Sequence, residues 1–213
     1  MLQYQAYLFD MDGTLVQSEP LKGQALAMAC HDFGATVNAD IYKAVMGESW
    51  PVVTGHFFKQ GGIAPQLDEF NVKFRAHYQA LLASELKVTK GAIELLQHLK
   101  AEQRALAVVS SAATWMVDDI LNRLGIAALF DVVITQEHVS RHKPDPQAYD
   151  LALSQLALKP SEVLVFEDSH AGVEAGVRAG CDVVAVRHGF NGQNDLSKAL
   201  AVIEAFDPQL PYL

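Results

Sequence analysis

The sequence predicts an α/β fold, a buried parallel sheet with helices on its faces, interrupted early by an all-helical insert. Three observations predict it. From about residue 91, short apolar strands alternate with helical stretches. Those strands are apolar throughout, the pattern of a parallel sheet covered on both faces. Between about residues 16 and 88 no convincing strand appears, and the apolar spacing is helical.

Ala6-Tyr7-Leu8-Phe9 reads as the first strand, and Asp10-Met11-Asp12-Gly13-Thr14 follows it directly. Helices are expected at Pro20–Phe33, Ala39–Val45, Pro51–Phe58 and Gln66–Leu86, with breaks at Gly34, Gly47 and Gly61-Gly62. Residues 16–88 are therefore expected to form a helical cap. It would be inserted into a core made of residues 1–15 and 89–213, with hinges near Leu15–Ser18 and Leu86–Lys90. Ala92–Lys100 carries Ile93, Leu96 and Leu99 at helical spacing. Ala105–Val109 is a strand, and Ala113–Leu124 a helix. Val132–Ile134 is a strand, and Pro146–Leu158 a helix that begins near a proline, where the first turn tolerates one. Val163–Phe166, Ala171–Ala179 and Asp182–Val186 continue as strand, helix and strand. Asp195–Glu204 is expected to be helical.

The chain has 213 residues, half of them hydrophobic, enough for one domain with an insertion. Its net charge of −9, with no dense basic run, argues against nucleic acid and anionic membranes as partners. An anionic substrate would need a local positive source, such as Mg²⁺, a lysine or helix N-termini. Cys30 and Cys181 imply no disulfide framework. Met1-Leu2-Gln3-Tyr4 shows no leader pattern, and no segment has the length of a membrane span. A cytoplasmic monomer is expected.

Each core strand runs into a polar group. Asp10 and Asp12 follow the first strand, and Ser110-Ser111 follow Val109. Arg141-His142-Lys143-Pro144 lies in the loop after Ile134, and Glu167-Asp168-Ser169 follow Phe166. In a parallel sheet these ends share one edge, where open α/β sheets place their sites. Two carboxylate pairs, a hydroxyl and an ammonium suit phosphoryl transfer, in which catalysis is mostly positioning and charge stabilisation. Mg²⁺ prefers hard oxygen ligands, which Asp10 and Asp168 could supply. Ser110, Lys143 and backbone N–H groups at the next helix could hold a phosphate. Taken singly, Ser110 and Ser111 read better as helix caps and Lys143 as a solvated side chain; with the other strand-end groups, phosphate binding is the better reading for Ser110, and the place of Lys143 before Pro144 favours a functional one. His170 reads as a structural or solvated residue.

Asp10-Met11-Asp12-Gly13-Thr14, Ser110, Lys143-Pro144 and Glu167-Asp168-Ser169 resemble, in order, the four motifs of the haloacid dehalogenase-like (HAD) phosphohydrolase superfamily. The resemblance covers about residues 6–190. It implies a Rossmann-like parallel sheet with a helical cap. It implies Asp10 as the nucleophile that becomes an aspartyl phosphate. Asp12 would be the acid for the leaving alkoxide and then the base for water. Thr14, Ser110 and the N–H groups of Ser111 and Ala112 would hold phosphate oxygens, and Lys143 would bridge Asp10 and the phosphate. Mg²⁺ would be held by Asp10, the Asp12 carbonyl and Asp168, with Glu167 acting through water.

Asp12 separates this chain from the haloacid dehalogenases, which lack a second Asp. Phosphonatases use a cap lysine, and nothing singles out Lys22 or Lys43 for that part. β-Phosphoglucomutases carry a His, an Arg and a Lys in the cap where Lys22, Trp50 and Phe74 stand here, although Lys73 and Arg75 flank the last of these. Thr14 also suits the phosphatases. A Mg²⁺-dependent phosphatase of small phosphorylated metabolites, of the sugar phosphate or phosphoglycolate type, is the expected function. The alternatives are a phosphosugar mutase and, from another class, a non-catalytic or receiver-like phosphorylated signalling module.

Overall fold

The computed structural model describes residues 4–209. Met1-Leu2-Gln3, read above for a leader, lies outside the described residues. The chain divides into two compact units, one spanning Gln17–Lys87 and the other the flanking segments.

The larger unit is built on a six-stranded parallel sheet. Its strands are β1 (Ala6–Phe9), β2 (Ala105–Val109), β3 (Val132–Ile134), β4 (Val163–Glu167), β5 (Asp182–Val186) and β6 (Ala201–Ile203). They lie in the order β3-β2-β1-β4-β5-β6. Its helices are α4 (Ala92–Ala101), α5 (Thr114–Leu124), α6 (Gln147–Leu156) and α7 (His170–Arg178). The order reverses between β1 and β4, and the crevice at such a switch point is where doubly wound sheets bind ligands.

β1 and β4 are buried along their whole length. Alternate residues serve opposite faces. Ala6, Leu8, Val163 and Val165 join Tyr149 of α6 and Val173 of α7 in one apolar cluster. On the other face, Phe9 and Phe166 stack at 5.0 Å, with Phe206 edge-on to both. Phe9 is paired with Phe166 in the ladder, so Asp10 and Glu167 emerge side by side.

The sheet exceeds the expected one by a strand. The Asp195–Glu204 stretch is not helical; it bends and then forms β6, which pairs with β5 through Ala201, Val202 and Ile203. The β-branched Val202 and Ile203 suit an edge strand better than a helix turn.

The smaller unit contains α1 (Glu19–Asp32), α2 (Trp50–Gly61) and α3 (Leu67–Glu85). The expected helix at residues 39–45 is a 3₁₀ turn, Ala39–Ala44, with Asn38 accepting from the Asp40 N–H. Helices α1 and α3 pack together. An aromatic series fills the unit: Trp50 on Phe74 at 4.7 Å, and Phe74 stacked on Tyr78 at 5.5 Å. Among the described residues, no helix is long and apolar enough to cross a membrane.

Candidate active site

The Asp10–Thr14 loop is closed by its own backbone. The Val16 N–H donates to Met11 O, and the Gly13 N–H to Val16 O at 2.7 Å. Its entry is tied to β4 by the Asp10 N–H on Phe166 O. Gly13 has φ +86°, and a Cβ there would stand 2.2 Å from Asp168 Oδ2. Only glycine meets both demands, so the loop lies directly against Asp168.

Asp10, Asp12, Thr14, Ser110, Glu167 and Asp168 are all buried. Lys143 comes from the loop before α6, and its side chain is 6% exposed. Its ammonium donates to Asp10 Oδ1 at 2.8 Å, Val109 O at 2.8 Å and Glu167 Oε1 at 2.5 Å. Thus one side chain joins the ends of β1, β2 and β4. Burial alone would push its pKa down; the Asp10 and Glu167 charges outweigh that and hold it above the usual lysine range.

Glu167 is surrounded by donors. Oε1 also accepts from the Tyr149 hydroxyl at 2.8 Å. Oε2 accepts from Asp168 N–H, Ser169 N–H and Ser169 Oγ. Gly172 makes room for it, since a Cβ there would fall 1.9 Å from the carboxylate. Burial, then the Glu167 and Asp10 charges, push the Tyr149 phenol well up, so it stays a donor.

Asp10, Glu167 and Asp168 each present a carboxylate oxygen within 4.8 Å of the others. For Asp10, burial is the largest influence and pushes the carboxyl up; Lys143 opposes it, and Glu167 and Asp168 reinforce it. Three buried carboxylates and one lysine leave this cluster short of positive charge. The donors are all hard oxygens, which fits a hard divalent cation.

Ser110 does not cap α5. The N-cap is Ala113, and Glu137 Oε2 accepts from the Thr114 N–H at 2.9 Å. Ser110 Oγ accepts from the Ala112 N–H at 3.0 Å, so that N–H is already engaged. Ser111 is exposed. The Thr14 hydroxyl is buried without a hydrogen-bond partner among the described residues. His170 lies outside the cluster, exposed, with its ring on Asp195 O at 3.0 Å.

Two neighbours of Asp168 escape the strand-end reading. His188 and Asn191 follow β5 and bond to it: His188 Nε2 lies 2.9 Å from Asp168 Oδ2, and Asn191 Nδ2 donates to Asp168 O at 2.8 Å. The signal was available, because β5 also ends in a polar group, Arg187-His188.

Fold and site together define a doubly wound α/β protein with a carboxylate–lysine cluster at its switch point. The family model described as haloacid dehalogenase-like hydrolase matches residues 7–186, and the chain belongs to that family. It is 32% identical to the phosphorylated carbohydrates phosphatase of Thermotoga maritima, over 93% of this chain and 92% of that one. It is 36% identical to the validoxylamine A 7'-phosphate phosphatase of Streptomyces hygroscopicus, over 83% of each. Among solved structures it resembles a Thermotoga maritima protein provisionally named β-phosphoglucomutase. That match has a TM-score of 0.80 and 31% identity, covering 93% of this chain and 94% of that one.

Proposed function

We propose that the chain is a Mg²⁺-dependent phosphatase of small phosphorylated metabolites, sugar phosphates first among them. It works through an aspartyl phosphate on Asp10. The observation that carries this is Lys143, buried and bonded at once to Asp10 and Glu167 beside Asp168. The names of the two phosphatase relatives support the substrate class.

Asp10, the Asp12 carbonyl and Asp168 would hold the ion. Both Glu167 oxygens are taken by protein donors, so Glu167 would contribute through water. When bound, Mg²⁺ supplies charge neutralisation between the carboxylates and a phosphate dianion. The chain's residues do the rest. Lys143 stays protonated and offsets the repulsion between Asp10 and the phosphate. An Asp10 oxygen attacks phosphorus, the P–O bond to the alcohol breaks, and Asp12 gives its proton to the leaving oxygen. A water then attacks the aspartyl phosphate, Asp12 takes the water's proton, and inorganic phosphate leaves with Asp10 restored. Thr14, with its buried unpartnered hydroxyl, and Ser110 would steady the phosphate oxygens.

A mutase is the second reading, favoured by the Thermotoga maritima structure. Two of the cap positions at issue are occupied by the Trp50–Phe74 pair, with Trp50 Nε1 donating to Asn71. That packing leaves no cation at either position. The discriminating experiment incubates the protein with a hexose 1-phosphate and Mg²⁺ and follows both products. Phosphate release supports the phosphatase; accumulation of the 6-phosphate without phosphate release supports the mutase. No turnover of any phosphomonoester, with or without Mg²⁺, would return the chain to the signalling class.

A further inference from the structure

We propose that His188 is a positioning residue that fixes the rotation of the Asp168 carboxylate for its metal, with Asn191 holding His188 in place. The inference rests on the metal reading above.

His188 Nδ1 accepts from the Phe190 N–H at 3.2 Å. A ring nitrogen that accepts carries no proton, so the proton sits on Nε2, the atom 2.9 Å from Asp168 Oδ2. The neutral ring therefore donates a directed hydrogen bond. Asn191 is 1% exposed and fully engaged. Its Nδ2 donates to Asp168 O and Val186 O, both at 2.8 Å, and its Oδ1 accepts from the His188 N–H at 2.9 Å. A single amide thus ties the end of β4 to the end of β5 and sets the backbone that carries the imidazole.

The first-strand loop closes the arrangement. A Cβ on Gly13 would stand 2.2 Å from Asp168 Oδ2 and 2.9 Å from His188 Nε2. The Gly13 backbone packs on this hydrogen bond and leaves the carboxylate no room to swing toward it. Groups that orient a ligating carboxylate commonly tune metal affinity by about 10- to 100-fold.

The test is calorimetric titration of Mg²⁺ into the full chain and into His188→Ala and His188→Gln. The Gln amide nitrogen can take the place of Nε2 and keep the donor. We expect His188→Ala to weaken Mg²⁺ binding by about 10- to 100-fold and His188→Gln to recover most of the loss. A purely structural role would give no recovery with Gln. If Ala binds Mg²⁺ as the parent does, or if folded Gln binds as weakly as Ala, the inference is overturned while the metal reading stands. If the parent chain itself gives no Mg²⁺ binding, the metal reading fails first and takes this inference with it.

Discussion

Glu167 and Asp168 are adjacent, both acidic and both buried at the end of β4, yet their surroundings differ in kind. On the Glu167 side stand an ammonium, a phenol and the Ser169 hydroxyl. On the Asp168 side stand an imidazole and an amide, both uncharged in this arrangement. The first side brings an ammonium to a carboxylate; the second holds a carboxylate by directed hydrogen bonds. The difference shows how one dipeptide serves two jobs. Glu167 fixes the lysine, and in the proposed mechanism Asp168 would hold the cation.

Asp10 touches both sides, so its loss should be the largest. Asp10→Asn keeps the shape but removes the proposed nucleophile, and turnover of p-nitrophenyl phosphate should fall by at least about a thousandfold. Near-normal turnover would remove Asp10 from that role. Lys143→Met acts on the charge-balanced side. It leaves Asp10 and Glu167 buried and uncompensated, which costs about 3 kcal/mol of stability, read by urea denaturation, along with most activity. A stability equal to the parent would mean the lysine does not balance those carboxylates.

Two glycine variants separate the sides. Gly172→Ala pushes a methyl into Glu167, and Gly13→Ala pushes one into Asp168 at a left-handed backbone position. Each should cost about 2 kcal/mol or more by overpacking, and Gly13→Ala more because of its φ. Mg²⁺ affinity should drop further in Gly13→Ala than in Gly172→Ala; the reverse order would break the division of labour. The smallest effect belongs to Tyr149→Phe. Removing one neutral donor from Glu167 should cost about 1–2 kcal/mol in the same denaturation and lower turnover only a few-fold.

The core was more legible in the sequence than the helical unit. β1, β2 and β3 have the expected ends because a strand buried on both faces is a short apolar run between polar residues. In Gln17–Lys87 the helix existence was readable, but the ends shifted, and one segment tightened into a 3₁₀ turn around Asn38. β6 was hidden by its length of three residues and its exposed Val202. Asp10, Lys143, Glu167 and Asp168 were legible because each stands where an apolar strand ends or in the loop that follows one. Tyr149 was not, since inside α6 it looks like any core aromatic. His188 was readable from the polar end of β5; Asn191 was not, since it lies further into the loop and works through its amide on the Asp168 and Val186 carbonyls.

In the proposed mechanism every phosphate passes through Asp10. A ³²P-labelled sugar phosphate mixed with the protein and Mg²⁺, then quenched in acid within milliseconds, tests it directly. Label is expected on the peptide containing Asp10, absent in Asp10→Asn and lost when the parent chain is allowed to turn over before quenching. Release of labelled phosphate with no protein-bound label at any quench time would contradict it.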